Sequence, residues 1–238
     1  MDSFSPALPH GALEEVFPDL FFVSGAMETE LQGMDWQFSR NMTVVRDGER
    51  LILVNSVRLD DEGLAALDKL GQVTDVIRLG CLHGRDDAFY VDRYNANYWT
   101  LPGMENDCPP ESVKTLSVDG ELPIAGASLF VFDTTSIPEA ILRLDREGGI
   151  LIACDALQNW HGPDEYFSDQ SRQVMTEMGF FQPANLGPVW VQAAAPSGED
   201  FTRLKDLSFR HALCGHGQPL RDSAHQAFSD RFKQVFDI

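Results

Sequence analysis

Three clusters of ionisable residues lie where predicted strands end, and their residue types are those that hold metal ions. The first contains His83 and Asp87, the second is Asp155, which directly follows Cys154, and the third is His216, which stands between two glycines. Imidazole and carboxylate groups bind zinc, iron or manganese, and both also transfer protons in catalysis. Sites are commonly assembled at strand ends. The pattern predicts one site built from distant parts of the chain.

Cysteines accompany all three clusters, at Cys81, Cys154 and Cys214. Residues two apart on a strand point the same way, so Cys81 and Cys214 could face the site as thiolate ligands or redox groups. Free cysteine is also among the most buried residue types, and packing is the favoured interpretation. His161, which follows Asp155 closely, is a further candidate ligand.

The composition predicts a folded, acidic protein. The chain has 238 residues, of which 43% are hydrophobic. It contains 18 basic and 37 acidic residues, which gives a net charge of -19. Such a chain repels phosphate backbones and anionic lipid, which excludes general binding to nucleic acid or to a membrane surface. The first residues lack a basic segment followed by an apolar run, and the cysteines are scattered, so we expect a cytoplasmic protein with reduced thiols. We expect one domain over residues 1–238, with 1–16 as an N-terminal extension.

The elements that must position these residues are strand-rich halves with helices outside. The apolar runs within residues 20–58 predict antiparallel strands that are joined by a turn at Asp47-Gly48. A helix is expected from its cap at Asp60 to Gly71. Residues 136–149 fit either a helix or a hairpin, and the hairpin is preferred. Further elements are expected as strands at 73–79, 128–132 and 150–153, and as helices at 86–94, before Gly179 and over 224–235.

In order and spacing, these features resemble the metallo-β-lactamase superfamily from about residue 17 to the C-terminus. The resemblance rests on the opening hairpin at 51–55, on the loop 83–88 in place of a His-x-His-x-Asp-His motif, on Asp155 after a Gly-Gly turn, and on Gly215-His216-Gly217. It implies an α/β fold, a four-layer αββα sandwich of two mixed sheets with helices outside. It also implies a metal site at the sheet edge.

The chain departs from the family motif at three ligand positions. Arg85 replaces the second histidine of the loop, Ala88 replaces the histidine after the aspartate, and Ser136 falls where a mid-chain histidine is expected. Four ligands remain: His83, Asp87, Asp155 and His216. With two of three imidazoles of the first metal lost, a dinuclear site is not expected. The remaining set predicts one divalent metal, zinc, iron or manganese, or none.

Three functional hypotheses follow. The leading one is a hydrolase of a small molecule, in which Asp155 and Asp87 are catalytic and Asp155 orients or deprotonates a water. The alternative is a non-catalytic ligand-binding protein whose former metal pocket is held by ion pairs of Arg85 with Asp87 or Asp155. A third is an oxidoreductase with one iron held by two histidines and a carboxylate. Ser136 is interpreted as a turn residue. The partner is a small-molecule ligand or substrate, and the sequence does not fix an oligomeric state.

Overall fold

The protein forms two facing β-sheets whose outer faces are covered by helices. The structure is a computed structural model that describes residues 4–31 and 33–238. The first three residues of the expected N-terminal extension lie outside these ranges, whereas its later part forms the first strand of the larger sheet.

The larger sheet has seven strands, arranged in chain order. They are β1 (Glu14–Phe17), β2 (Leu20–Leu31), β3 (Met34–Asp47), β4 (Arg50–Val54), β5 (Gln72–Ile77), β6 (Asn97–Thr100) and β7 (Val113–Thr115). The first four pair antiparallel and the rest join in parallel. The sheet is therefore mixed, as the family resemblance implies.

The smaller sheet has four strands, in the order β13-β10-β9-β8, and a two-stranded ribbon lies apart from it. The strands are β8 (Ala127–Val131), β9 (Ala140–Leu144), β10 (Ile150–Ile152) and β13 (His211–Leu213), with β11 (Leu157–Gln158) and β12 (Asn185–Leu186) in the ribbon. Strands β10 and β13 pair in parallel and the other neighbours antiparallel, so this sheet is mixed too.

Helices lie on both outer faces. They are α1 (Asp61–Leu70), α2 (Asp87–Tyr94), α3 (Asp169–Glu177), α4 (Pro188–Ala194), α5 (Gly198–Lys205) and α6 (Ala224–Phe236), with one 3-10 turn at Pro110–Ser112. Within the described residues, no helix combines the length and the apolar character needed to cross a membrane.

Alternation along the strands sorts the side chains into separate cores. On β4, Ile52 and Val54 pack between the two sheets, whereas Leu51 and Leu53 pack under α1 and α2. Successive side chains of a strand point to opposite faces, so one strand serves both cores. A third core lies between the smaller sheet and α4, α5 and α6. These layers confirm the four-layer αββα sandwich.

Local signals in the sequence place several elements correctly. The Asp60 carboxylate accepts a hydrogen bond from the Gly63 amide at 2.8 Å and caps α1. The helix ends before Gly71, where a Cβ atom would lie 2.5 Å from the Glu49 carbonyl oxygen, so a larger residue does not fit. The preferred hairpin over 136–149 is confirmed, since β9 and β10 pair antiparallel.

Candidate metal centre

Three of the predicted ligands meet at one edge of the sandwich. His83 lies between β5 and α2, Asp155 follows β10, and His216 follows β13. The Nε2 atoms of the two histidines are 3.1 Å apart, and the Asp155 carboxylate oxygens lie 3.1 Å from His216 Nε2 and 3.4 Å from His83 Nε2. All three side chains are buried. The sequence prediction that these distant clusters form one group agrees with this geometry.

Glycines on both sides of His216 allow the backbone to come this close. A Cβ atom on Gly217 would lie 2.2 Å from the Asn159 backbone, and one on Gly215 would lie 3.1 Å from the Cys154 carbonyl oxygen. The parallel pairing of β10 with β13 then sets Asp155 beside His216. The glycines therefore serve close packing, as the sequence pattern indicates.

An arginine holds the segment that leads to His83. The Arg78 guanidinium donates hydrogen bonds to the carbonyl oxygens of Gly80, Cys81 and Glu105, at 3.1, 2.6 and 2.6 Å. This uses all three of its nitrogens on main-chain groups. The loop carrying His83 is thereby fixed from the end of β5.

The tautomer of His216 is set by the main chain of β3. Its Nδ1 atom lies 3.0 Å from the Ser39 carbonyl oxygen. A carbonyl oxygen only accepts hydrogen bonds, so the Nδ1 atom carries a proton. The Nε2 atom faces Asp155 and His83, and it would bind a metal once its own proton is released. A backbone acceptor behind the ring is the usual support of a histidine that binds a metal.

Strand β3 contributes further residues that the sequence reasoning did not single out. The Asn41 side-chain nitrogen donates to the carbonyl oxygens of Cys214 and Gly217, at 3.0 and 2.7 Å. The Asn41 main-chain nitrogen donates to the Gly215 oxygen at 2.8 Å. One asparagine therefore clamps the loop on both sides of His216. Nothing in the local sequence marks it, because its partners lie more than a hundred residues away.

The buried arginine of the site is Arg40, not Arg85. Arg40 forms an ion pair with Asp86, and both side chains are almost fully buried. The nearest carboxylate oxygen to Arg85 is on Asp86, at 4.0 Å, and its side chain is 24% exposed. The expectation that Arg85 pairs with Asp87 or Asp155 is therefore corrected: among the described residues, neither carboxylate has an arginine within ion-pair distance.

Asp87 lies apart from the meeting point of the other three candidate ligands. It accepts hydrogen bonds from the Ser56 hydroxyl and, at 2.9 Å, from the Tyr98 hydroxyl. Burial raises the pKa of its carboxyl, although these hydrogen bonds and the charges of Arg78 and Arg40 oppose the shift. It shares a polar cavity with Arg85, next to the site.

His161 and Ser136, which the sequence analysis also discussed, lie outside the group formed by the two histidines and Asp155. His161 is exposed, and its main-chain nitrogen donates to Gln218 Oε1 at 3.2 Å. The Ser136 hydroxyl donates to the carbonyl oxygens of Ala193 and Ala194, at 2.9 and 3.0 Å. Ser136 is thus engaged in a turn contact with α4, in line with its interpretation as a turn residue.

The cysteines divide between packing and the site. All four thiols of the chain are free. Burial raises the pKa of Cys214 to about 12 and also raises that of Cys81, which favours protonated thiols over thiolate ligands. The Cys154 sulfur differs in position, because its Sγ atom and ligand atoms of His83 and Asp155 all lie within 4.8 Å of one another. Burial, reinforced by the charges of Asp155 and Glu139, raises the pKa of Cys154 as well.

Burial and mutual attraction together shift the pKa values of Asp155 and His83. Burial raises the pKa of the Asp155 carboxyl, but attraction to His83 and hydrogen bonds with both histidines outweigh it, so the pKa is lowered. Burial lowers the pKa of His83, against the pull of Asp155. Asp155 is therefore ionised and His83 is neutral at pH 7. This is the protonation state that metal ligands require.

A second buried acid, Glu139, lies behind the site. Its Oε1 atom accepts a hydrogen bond from the Ala156 amide at 2.6 Å, and its Oε2 atom has no hydrogen-bond partner among the described residues. Burial and the nearby Asp155 charge raise its pKa well above the usual range. Sequence reasoning missed this residue, because only the fold brings it beside Asp155.

The three converging residues fit a single divalent cation. Two imidazole nitrogens and one carboxylate form a mixed donor set suited to zinc, iron or manganese. Zinc–ligand bonds of about 2.0–2.1 Å in a tetrahedron place the ligand atoms about 3.3 Å apart. The two Nε2 atoms are 3.1 Å apart, His216 Nε2 lies 3.1 Å from Asp155 Oδ1, and His83 Nε2 lies 3.4 Å from the other carboxylate oxygen, Oδ2. Three protein ligands with one position left for water are the pattern of catalytic sites. The Asp87 carboxylate is instead hydrogen-bonded by the Ser56 and Tyr98 hydroxyls.

The site opens into a cavity of about 250 Å³. Its walls come from the β2–β3 hairpin, from α3 and its following loop, and from α4, and they are largely apolar and aromatic. Such a concave apolar space beside a few converging polar groups is typical of a small-molecule site.

Sequence comparisons identify no relative. No protein-family model matches the chain, and no curated protein matches it significantly. Many solved structures do match it in fold. The similarity therefore lies in the three-dimensional arrangement and not in the sequence.

Many of the structural neighbours are metallo-β-lactamases. DIM-1 metallo-β-lactamase, exposed to ceftazidime, matches with a TM-score of 0.61 and 14% identity, over 97% of this chain and 98% of that one. Metallo-β-lactamase FIM-1 from Pseudomonas aeruginosa, in its mono-zinc form, matches with 0.60 and 12%, over 96% and 97%. A metallo-β-lactamase from Erythrobacter litoralis matches with 0.55 and 13%, over 94% and 92%. Each match covers at least 94% of the chain.

Proposed function

The chain has the metallo-β-lactamase fold, and on this basis we propose that it is a hydrolase of a small molecule that uses one divalent metal. The observation that carries the proposal is the convergence of His83, Asp155 and His216, with ligand atoms 3.1–3.4 Å apart, beside an apolar cavity. The Nε2 atoms of both histidines face Asp155, and they would bind the metal after releasing any proton that they carry. The donor set leaves a position for water.

A divalent cation held there supplies Lewis acidity, which lowers the pKa of water toward about 7. The chain's own residues supply the rest. The ionised Asp155 carboxylate accepts a hydrogen bond from the attacking water and orients it toward the ester or lactone carbonyl. Because the Ser39 carbonyl holds the His216 ring by its Nδ1 proton, the ring keeps its orientation during this step.

Asp87 has a positioning role in this proposal. It sits at the first position of α2 and links that helix to Ser56, which follows β4, and to Tyr98 on β6. Its main-chain nitrogen donates to the Gly84 oxygen at 3.2 Å, which closes the turn after His83. We therefore transfer Asp87 from the ligand set to the support of the His83 loop.

Elemental analysis of protein purified without an affinity tag tests the metal site. We expect near one equivalent of zinc, iron or manganese in the wild type and its loss in His216→Ala. His161→Ala is the matched control, because His161 is exposed and outside the group, and it should keep the metal. Less than about a tenth of an equivalent after incubation with each metal would contradict the proposal.

Turnover tests the hydrolase half separately. The metal-loaded protein should cleave members of a panel of chromogenic esters, thioesters and lactones, and Asp155→Asn, which is expected to lose the metal, should lose that cleavage with it. A full complement of zinc with no cleavage across the panel would leave the metal site in place and overturn the hydrolase assignment. Iron as the bound metal would favour the oxidoreductase hypothesis instead.

A further inference from the structure

A single guanidinium lines the cavity beside the metal centre. Arg40 is the one arginine among the lining residues that the structure describes, and no lysine is among them. Side chains of a strand alternate between its two faces, so Trp36, Phe38 and Arg40 of β3 project to the same side, where all three line the cavity. The three converging metal-site residues line it too. Burial lowers the pKa of His83, and the Arg40 charge acts in the same direction because the two groups are close.

Arg40 uses only part of its hydrogen-bonding capacity within the protein. Its Nη2 atom donates to the Asp86 carboxylate, which also accepts from the Arg58 amide at 2.6 Å. Neither Nε nor Nη1 of Arg40 donates to any of the described residues. The Nε atom is fully enclosed, whereas Nη1 is not, and 3% of the surface of Arg40 stays exposed. A guanidinium has five N–H donors, so Arg40 has donors left for a ligand in the cavity.

The charges around the cavity favour an anionic oxygen once a divalent ion is bound. The carboxylates of Asp155 and Asp86 carry two negative charges, which face the two positive charges of the ion and the one of Arg40. Histidines bind a metal in their neutral form, so one positive charge is in excess. Burial lowers the pKa of Arg40 and the Asp86 charge opposes this shift, but a guanidinium keeps its proton in proteins. A charge in such a buried site acts more strongly than it would in water.

We propose that Arg40 binds the carbonyl oxygen of the substrate and stabilises the negative charge that this oxygen gains during hydrolysis. The inference rests on the proposed hydrolase function and adds a catalytic residue to it. Hydroxide, formed from water by release of a proton to solvent, adds to the carbonyl carbon, and the electron pair of the C=O π bond moves to the oxygen. Arg40 Nη1 donates to that oxygen until the pair returns, the bond to the leaving group breaks and the leaving group takes a proton from solvent. Arg40 thus supplies the positive charge that the sequence-based hypothesis assigned to Arg85.

Binding of a tetrahedral anion to the metal-loaded protein tests this role without turnover. Phenylphosphonate carries negative charge on its oxygens, as the tetrahedral state of the reaction does, whereas imidazole is a neutral ligand that needs only the metal. We expect Arg40→Lys to weaken phenylphosphonate binding at least about tenfold and to change imidazole binding by less than about twofold, both measured by calorimetric titration. Lysine keeps the charge beside Asp86, but it lacks the planar fork that contacts Asp86 and a ligand together. Equal weakening of both ligands, or no phenylphosphonate binding by the wild type, would overturn the proposal.

Two further variants keep the test specific. Arg85→Lys is the matched control, because Arg85 lines the neighbouring polar cavity and not this one, and it should leave the binding of both ligands unchanged. Should Arg40→Lys fold poorly, Arg40→Met combined with Asp86→Asn removes both buried charges together, keeps an oxygen for the Arg58 amide and should weaken phenylphosphonate binding as strongly.

The metal content of each sample separates the two proposals. A wild type that holds no metal overturns the hydrolase proposal and the role of Arg40 together. Unchanged phenylphosphonate binding in the Arg40 variants, at full metal content, overturns only the role of Arg40.

Discussion

The Nδ1 atom of His216 lies 3.0 Å from the carbonyl oxygen of Ser39, although 176 residues lie between them in the chain and no side chain of residue 39 is needed for the contact. The orientation of the metal-facing nitrogen is thus decided by the main chain of β3. The supporting residues of β3, and not only the ligands, should therefore affect metal affinity.

Replacing Asn41 by alanine tests that support. The substitution removes the hydrogen bonds to the Cys214 and Gly217 oxygens, and buried carbonyls without donors loosen the loop that carries His216. We expect metal affinity to fall about 10–100-fold, measured by competition with a chelating dye. Asn97→Ala, at an exposed site on β6, is the control. A change in metal affinity below about twofold in Asn41→Ala would show that the loop carrying His216 keeps its conformation without the Asn41 hydrogen bonds.

The two aspartates of the predicted ligand set should behave differently. Asp155→Asn should lose the metal, because it removes the charged ligand. Asp87→Asn should keep it and lower the free energy of unfolding by less than about 1 kcal/mol, since a raised pKa means that the buried site already favours an uncharged group. Metal analysis and urea denaturation measure both effects. Loss of metal in Asp87→Asn would return Asp87 to the ligand set.

The ion pair of Arg40 and Asp86 should dominate the local electrostatic stability. Asp86→Ala leaves the Arg40 charge buried and unpaired, which should lower the free energy of unfolding by about 3–5 kcal/mol. Arg85→Ala removes a partly exposed charge 4.0 Å from its neighbour and should change it by less than about 1 kcal/mol. Chemical denaturation of both variants measures these two changes in the free energy of unfolding. A larger loss in Arg85→Ala than in Asp86→Ala would reverse the assignment.

Glu139 should make the metal-free protein less stable as the pH rises. Its pKa is raised in the folded state, so between its unfolded pKa and its folded pKa the folded protein binds more protons than the unfolded chain. Over that window stability falls, by at most about 1.4 kcal/mol per pH unit for one group. We expect Glu139→Gln to remove this decline, which begins above the unfolded pKa of about 4.3, in urea denaturation with a chelator present.

Two comparisons keep this pH test specific. His83, whose pKa is lowered, changes stability in the opposite sense, but it does so equally in the wild type and in Glu139→Gln. Glu49→Gln, at an exposed position, should follow the wild type. Parallel pH profiles for wild type and Glu139→Gln would mean that Glu139 is ionised in the folded protein.

The sequence predicts those parts of the fold that are signalled locally. The capping aspartate Asp60, the stop at Gly71 and the β9–β10 hairpin are each marked by residues within a few positions, and all three are found. Helices α4 and α5, which are seven and eight residues long, were not predicted. The family resemblance predicted that His83, Asp155 and His216 lie together, and it also placed Asp87 with them, which the structure does not.

Residues whose role depends on a distant partner could not be predicted. Arg40, Asn41 and Glu139 look ordinary in sequence, and they matter only because the sandwich places them against the site. Arg85 shows the converse: its position in the loop suggested an ion pair with Asp87 or Asp155, but the carboxylate within 4.0 Å of its guanidinium is that of Asp86. Side-chain direction in a loop is set by packing, which the sequence does not show.

The ligand set also constrains when the metal can bind during folding. His83 belongs to the first half of the chain and His216 to its end, 133 residues later. Both sheets must therefore be formed and docked before the three donors can meet, and closing so long a loop comes late. A bound ion should consequently slow unfolding and leave the folding rate unchanged, because it stabilises the folded protein and not the transition state for folding.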